Sequence, residues 1–196
     1  SLHDALPIYA LLVGNGSAEI IWLLALAALA PSDRVVIVGP TFGEYARAAR
    51  LAGAEVVEYQ AREDDAFVPD VAKVVDLVRV ARPALLFVCN PNNPTGAYLG
   101  RDAVETLLRA VGEGLLVLDE AYVRFVEAPW SATDLVSRGN LVLLRSMTKD
   151  YALAGLRLGY AVAPPGLARL LALAQEPVVS CPSTVAPKAA EAALTG

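Results

Sequence analysis

Short apolar runs alternate with amphipathic stretches of helical length between residues 10 and 164. Most of these runs lack the polar alternation of a half-exposed strand, which is typical of parallel strands buried on both faces. The pattern predicts an α/β domain in which helices cover a mostly parallel sheet. We predict strands at 35–38, 56–59, 85–89, 115–118, 141–144 and 158–163, and helices at 18–29, 43–52, 71–79 and 102–111.

Polar residues and prolines mark the ends of several predicted helices. Ser17 and Asp102 are expected to be the N-caps of the first and the fourth helix, because their side chains can accept a hydrogen bond from a free helical N–H. Another helix is expected after Gly166, followed by an elbow around Pro177 and Pro182.

Both ends of the sequence suggest a piece of a longer protein. The chain begins at Ser1 rather than at Met, and the helical pattern that starts at Glu191 is still running at Gly196. Residues 1–9 do not lead smoothly into the predicted domain and resemble translated adapter sequence, so we interpret them as a non-native leader. Residues 10–196 are predicted to form one domain.

Composition narrows the range of functions. The 196 residues are 56% hydrophobic, which is enough for one sizeable core, and the net charge of −5 comes without any run of Lys or Arg. Nucleic acid is therefore not expected as a partner, and the longest apolar run, 20–30, is shorter than the roughly 20 residues that span a bilayer. Cys89 and Cys181 are too few for a disulfide framework and fit a reducing cytoplasm. The single histidine, His3, argues against catalytic triads and metal sites.

Four junctions after predicted strands, or before predicted helices, carry residues suited to chemistry. In open α/β sheets ligands bind beyond the carboxyl ends of the strands, so residues at these ends are the candidates. The junctions are Gly14-Asn15-Gly16-Ser17, the turn-forming Asn90-Pro91-Asn92-Asn93-Pro94-Thr95-Gly96, Asp119-Glu120-Ala121-Tyr122, and Ser146-Met147-Thr148-Lys149 with Arg157 beyond. The first junction could present backbone N–H groups to an anion, or it could begin an ordinary helix.

Asp119 and Glu120 follow four apolar residues, as does the acidic strand end that holds Mg²⁺ in nucleotide hydrolases. The sequence has no G-x-x-x-x-G-K-[ST] phosphate loop, so a hydrolase would lack its phosphate site. Two alternatives remain open, a solvated acidic pair and a partly buried Asp119 that needs a cationic partner.

Lys149 lies between two apolar runs and is one of only three lysines, beside thirteen arginines. In an apolar pocket an ammonium group loses hydration, which favours the neutral amine that can form a Schiff base, whereas a surface turn would leave the lysine solvated. Arg157 is embedded among apolar residues and is expected to need an anion there. Phe42 and Tyr45, near a helix start, would most simply be core aromatics.

Five motifs follow one another along the chain: GNGSAE at 14–19, PTFGEY at 40–45, CNPNNPTG at 89–96, LDEAY at 118–122 and SMTKDYALAGLRLGY at 146–160. Together they resemble the fold-type I pyridoxal-phosphate enzymes, and among these the class I/II aminotransferases such as histidinol-phosphate aminotransferases. The resemblance spans about residues 10–185, and five ordered motifs are far more specific than any one of them. It implies the three-layer α/β/α large domain of a transaminase with pyridoxal 5′-phosphate as its cofactor and no metal.

The resemblance implies a role toward the cofactor ring for five residues. Lys149 matches the Schiff-base lysine, and Asp119 matches the partner of the pyridine nitrogen. Asn93 and Tyr122 match the residues that hydrogen-bond the ring O3′, and Phe42 matches the aromatic residue that stacks on the ring. A carboxylate at the ring nitrogen favours the pyridinium, which makes the ring an electron sink.

The resemblance likewise implies the phosphate site. Ser146, Thr148 and Arg157 match side chains that hold the cofactor phosphate, together with the backbone amides around Ser17 and Ala18. An arginine and a helix N-terminus suit a dianionic phosphate.

The family also implies partners and alternatives. Its members act on small amino and 2-oxo acids, here with a phosphorylated amino substrate, and the complete protein would be a homodimer. The family's substrate-carboxylate arginine lies in a smaller C-terminal domain, and an aromatic residue that one subunit contributes to the site of the other lies in an N-terminal segment. Neither is expected in this chain, which could therefore be inactive alone.

PTFGEY and SMTKDYALAGLRLGY also resemble the threonine-phosphate decarboxylases of corrinoid biosynthesis. A regulator with an aminotransferase-like domain is the non-enzyme alternative, although no DNA-binding module is visible.

Overall fold

The computed structural model describes residues 10–179 and 181–195, so the predicted leader and His3 lie outside the described residues. Within this part of the chain one sheet contains the strands β1 (Leu11–Asn15), β2 (Arg34–Gly39), β3 (Glu55–Gln60), β4 (Leu85–Cys89), β5 (Leu115–Asp119), β6 (Leu141–Ser146) and β7 (Leu158–Val162). Their order across the sheet is β1-β7-β6-β5-β4-β2-β3. Strands β2 to β6 are parallel, and β7 is antiparallel to both β6 and β1. The predicted mostly parallel sheet is confirmed.

Helices cover both faces of the sheet. The described helices are α1 (Ser17–Ala28), α2 (Glu44–Leu51), α3 (Val71–Ala81), α4 (Arg101–Ala110), α5 (Pro165–Val179) and α6 (Val185–Thr195). Side chains alternate between the two faces along each strand, so Val35 and Ile37 of β2 pack with α1 and α2, whereas Val36 and Val38 pack with α3 and α4. The predicted α/β/α layering therefore has a separate apolar core on each side of the sheet.

Strand β1 has no counterpart among the predicted strands. It lies at the edge of the sheet, where Leu11 and Val13 are exposed and Leu12 and Gly14 are buried. Its three apolar residues give a pattern too short to identify a strand. The pairing of Asn15 with Leu158 nevertheless brings the end of β1 to the edge of the sheet where β4, β5 and β6 end.

The two predicted helix caps are wrong. Gly16 is the N-cap of α1 and Gly100 is the N-cap of α4, with no side-chain hydrogen bond at either cap. Gly16 has φ +78°, a conformation that side chains disfavour, so the turn is completed there and Ser17 becomes the first helical residue. Gly100 has the extended backbone of a cap, which places Asp102 inside the first turn of α4.

The elbow predicted at Pro177 is also wrong, because α5 continues through Pro177 to Val179. A proline lacks one N–H donor, and near the end of a helix this interrupts little of the hydrogen-bond ladder. Pro182 does lie between α5 and α6. Within the described residues, no helix is both long enough and apolar enough to cross a bilayer.

Candidate active site

Asp119 is the last residue of β5 and its side chain is 3% exposed. The Tyr45 hydroxyl donates to Oδ2 at 2.7 Å, and the backbone N–H of Ala121 donates to Oδ1 at 3.0 Å. Burial raises the pKa of Asp119, and both hydrogen bonds oppose this rise because they favour the charged form. Asp119 is thus more buried than predicted, and no Lys or Arg of the described chain forms an ion pair with it.

Three asparagines follow β4, and two of them have structural partners. The Asn90 side chain exchanges two hydrogen bonds with the backbone of Leu99, at 2.7 and 3.1 Å. Asn92 Nδ2 donates to the Pro40 carbonyl at 2.8 Å. Asn93 lines the same cavity as Asp119, and within the described residues its side-chain amide makes no hydrogen bond. Asn93 is therefore the one of the three that is available to a ligand.

Lys149 extends from the loop after β6 toward Tyr122, with Nζ 5.8 Å from the centre of the Tyr122 ring. This contact is compatible with a cation–π interaction. Lys149 is exposed, so of the two alternatives left open by the sequence the solvated turn is confirmed and the apolar pocket is wrong. Lys149 and its neighbour Thr148, in the loop after β6, both line one cavity.

The N-terminus of α1 closely approaches the start of β7. A Cβ on Gly159 would overlap the backbone nitrogen of Ser17, so a glycine is needed here. A Cβ on Gly16 would lie 2.8 Å from Nη2 of Arg157. The first turn of α1, at Ser17 and Ala18, therefore lies beside the Arg157 guanidinium and lines the cavity with it. A helix N-terminus beside a guanidinium is well suited to bind phosphate.

Ser146 and Thr148 add two buried hydroxyls to this end of the cavity, with their oxygens 2.7 Å apart. Ser146 pairs with Gly159 across β6 and β7, which brings it near Arg157. Arg157 is exposed rather than embedded as predicted, because it lies in a turn before β7 with φ +50°. Solvent therefore hydrates the guanidinium, and it does not need an anion to be tolerated.

All ten predicted site residues line one cavity of about 130 Å³: Ser17, Ala18, Phe42, Asn93, Asp119, Tyr122, Ser146, Thr148, Lys149 and Arg157. Tyr45, Cys89 and Ala121 also line it. Tyr45 lies in the core as expected, whereas Phe42 is 36% exposed, so the interpretation of Phe42 as a core aromatic is wrong. The contact of Tyr45 with Asp119 joins residues 74 positions apart, which no local pattern reveals. Cys89 has its pKa raised to about 12 by burial and stays a neutral thiol.

A larger cleft of about 590 Å³ lies next to the ends of β5 and β6 but is not the better candidate. Of the ten predicted residues only Ser146 lines it. Its charged groups pair with one another, Arg145 with Glu120 at 2.8 Å and Arg124 with Asp150 at 3.4 Å. The smaller cavity instead combines a buried carboxylate, a primary amine and groups that suit a phosphate. This arrangement can bind a ligand with a cationic ring, a carbonyl and a phosphate.

Known proteins show strong similarity to this chain. The family described as Aminotransferase class I and II matches residues 5–196. A histidinol-phosphate aminotransferase of Moorella thermoacetica is 40% identical over 172 residues, which cover 85% of this chain and 44% of that protein. The enzyme of the same name from Symbiobacterium thermophilum is 41% identical over 179 residues, covering 88% and 47%. The chain thus spans less than half the length of these relatives.

Solved structures show the same fold. The aspartate aminotransferase of Thermus thermophilus with maleate superposes with a TM-score of 0.90 at 30% identity, covering 97% of this chain and 50% of that one. A tetra mutant of the Thermus thermophilus enzyme gives a TM-score of 0.90 at 29% identity, covering 97% and 53%.

Proposed function

Because the chain belongs to the class I and II aminotransferases, we propose that it is the cofactor-binding large domain of a pyridoxal-phosphate-dependent aminotransferase. The observation that carries the proposal is the buried Asp119, which accepts hydrogen bonds from two donors but forms no ion pair with any Lys or Arg of the described residues. A buried carboxylate is stable when a cation pairs with it, and a protonated pyridine nitrogen is such a cation. The residues present therefore fit pyridoxal 5′-phosphate.

Each part of the cavity has a task in this proposal. Asp119 pairs with the ring nitrogen, Asn93 and Tyr122 bind the ring O3′, and Phe42 stacks on the ring. The bound cofactor supplies an electron sink for the negative charge that develops at the substrate Cα. Lys149 would hold the cofactor aldehyde covalently through its amine, and as a free amine it would move the proton between the substrate Cα and the cofactor C4′.

The phosphate is bound by Ser146, Thr148, Arg157 and the backbone amides of Ser17 and Ala18. These groups lie at one end of the cavity, where a helix N-terminus and a guanidinium meet. Their interaction with the phosphate is the same throughout a catalytic cycle, so they supply uniform binding rather than acceleration.

We propose a phosphorylated amino substrate, histidinol phosphate or a close analogue, with a 2-oxo acid as the acceptor. The names of the relatives at 40% and 41% identity support this choice over threonine-phosphate decarboxylation. The remaining substrate contacts would come from residues that the relatives have beyond the matched region. We further propose that the complete protein is a cytoplasmic homodimer.

The complete protein that contains this chain should form glutamate from 2-oxoglutarate when it is given histidinol phosphate. Glutamate formation should require added pyridoxal phosphate. The matched reaction uses threonine phosphate without a 2-oxo acid and measures carbon dioxide release. If threonine phosphate releases carbon dioxide and histidinol phosphate yields no glutamate, the proposed activity is wrong and the protein is a decarboxylase.

Arg157→Ala should raise the dissociation constant of pyridoxal phosphate by about 10–100-fold, since a hydrogen bond to a charged group contributes about 1.5–3 kcal/mol. Turnover at saturating cofactor should change little, because the phosphate contact does not change in the transition state. Equilibrium titration of the cofactor-free protein measures the constant. Arg169→Ala is the matched control, because Arg169 is an exposed arginine of α5 that does not line the cavity. Equal affinities for the two variants would remove Arg157 from the phosphate site.

A further inference from the structure

Tyr45 is the second residue of α2 and is only 1% exposed. Its ring stacks on Phe87 of β4, with centroids 4.8 Å apart and an angle of 14° between the planes. Phe42 packs edge-on against the same ring at 5.7 Å. These contacts fix the ring, so that the hydroxyl oxygen is held 2.7 Å from Oδ2 of Asp119.

The hydrogen bond runs from Tyr45 to Asp119. Burial and the nearby Asp119 raise the pKa of Tyr45, so its hydroxyl stays protonated and donates. An ionised carboxylate accepts hydrogen bonds only, and a donor that points at it favours the ionised form. Of the other titratable groups near Asp119, Cys89 is a neutral thiol and Glu120 pairs with Arg145. Tyr122, Lys149 and Arg157 line the same cavity, and none of the three forms a hydrogen bond or an ion pair with Asp119. Within the described residues Tyr45 is the side chain that donates to Asp119.

The two donors also fix the orientation of the carboxylate. Tyr45 binds Oδ2 and the Ala121 N–H binds Oδ1, so rotation of the Asp119 side chain would break both bonds. Each oxygen can accept more than one hydrogen bond, which leaves capacity for a ligand. The tyrosine therefore prepares Asp119 for a cation without competing for all of its acceptor sites.

We propose that Tyr45 is a positioning residue whose hydroxyl favours the ionised form of Asp119 and holds its carboxylate in one orientation, and so sets how strongly the site prefers a protonated ring nitrogen. The proposal rests on the assignment of Asp119 to the ring nitrogen. It predicts that a change at Tyr45 alters the affinity for a ligand only where the ligand has a ring nitrogen. The contributions of the ligand's phosphate and aldehyde to affinity should stay the same.

The test compares two ligands of the complete, cofactor-free protein: pyridoxal phosphate and 1-deazapyridoxal phosphate, in which C–H replaces the ring nitrogen. The unaltered protein should prefer pyridoxal phosphate. Tyr45→Phe should lower this preference by about tenfold or more, the loss expected for one hydrogen bond to a charged group. The dissociation constant of the deaza analogue should stay nearly unchanged. A purely structural role of Tyr45 would weaken both ligands alike and would contradict the proposal.

Tyr59→Phe is the matched control, because the Tyr59 hydroxyl also makes one hydrogen bond, accepting from the Asp70 N–H at 3.0 Å. This control should keep the full preference. If the unaltered protein shows no preference, the assignment of Asp119 to the ring nitrogen fails and the proposal falls with it. If the unaltered protein prefers pyridoxal phosphate and Tyr45→Phe does so equally, only the role of Tyr45 is overturned.

Two further measurements separate positioning from folding. In an Asp119→Asn background, Tyr45→Phe should not change the ligand preference further, because the carboxylate on which it acts is gone. Tyr45→Phe should also lose pyridoxal phosphate at a higher pH on acidification, because Asp119 without its donor protonates more readily. If Tyr45→Phe alone does not fold, the double variant Tyr45→Phe/Asp119→Asn shows the cause. A folded double variant would identify the carboxylate left without its donor as the cause, whereas an unfolded double variant would overturn the proposal.

Discussion

Lys149→Arg is expected to abolish the covalent attachment of pyridoxal phosphate and to lower turnover of the complete protein by at least about 10²–10⁴-fold, the range for losing a positioned acid–base group. A guanidinium stays protonated under all ordinary conditions, so it neither attacks a carbonyl nor accepts the proton from Cα. Borohydride reduction of the loaded protein, followed by peptide mapping, measures the attachment. The visible absorbance of the attached cofactor should disappear in the variant.

The chain provides its own controls for this experiment. Lys73, on α3, forms an exposed ion pair with Asp70 at 3.3 Å, and Lys188 is exposed on α6. Neither lysine lines the cavity. Lys73→Arg and Lys188→Arg should therefore retain attachment and turnover. Recovery of the reduced cofactor on Lys73 or Lys188 of the unaltered protein would refute the assignment of Lys149.

The central part of the fold was predictable because its strands are buried on both faces. Runs such as 85–89 and 115–118 are continuously apolar, which identifies them as buried strands. Strands that are connected through helices run parallel, so the residues that follow them lie together at the carboxyl edge of the sheet. The predicted strand and helix bounds therefore differ from the observed ones by only one or two residues. Strand β1 gave too weak a signal because only one of its faces is buried and it is five residues long.

The candidate site was predictable as a set of residues but not in its physical environment. The five motifs, in their order along the chain, identified ten residues that line one cavity. They do so because each motif lies at an end of β1, β4, β5, β6 or β7 or at the start of α2. Apolar neighbours in sequence suggested burial for Lys149 and Arg157, yet both are exposed. Neighbours in sequence describe the strand or turn that carries a residue, whereas exposure depends on how the loops leave the sheet.

Contacts between segments that are far apart in the chain could not be predicted from the sequence. Gly159 permits the contact of β7 with the start of α1, and the Tyr45 hydroxyl reaches Asp119 from α2. In both cases the residue type is ordinary for its local position. A glycine in a strand and a tyrosine at a helix start become informative only when the partner atom is known.

Asp119→Asn should leave pyridoxal phosphate bound but slow turnover of the complete protein by about 10²–10³-fold, or about 2.7–4 kcal/mol, as for removal of one preorganised electrostatic partner. A neutral amide does not stabilise a protonated ring nitrogen, so the ring accepts less of the charge that develops at Cα. The residues that bind the phosphate at the other end of the cavity remain, so saturating pyridoxal phosphate still fills the site, although its dissociation constant should rise at least as much as in Tyr45→Phe. Steady-state turnover and cofactor titration of the same preparation measure the two effects separately.

The free energy of unfolding of Asp119→Asn is the control, because it shows whether a loss of turnover comes from unfolding of the variant. Burial raises the pKa of Asp119 above its unfolded value, so the stability linked to its protonated form is present in acid and is lost as the pH rises through the folded pKa. Without cofactor, Asp119→Asn should therefore be more stable than the unaltered protein at neutral pH, with a difference that shrinks on acidification. Denaturant unfolding at several pH values measures this difference. Full turnover in the variant would remove Asp119 from the ring nitrogen, whereas low turnover with reduced stability would attribute the loss to folding.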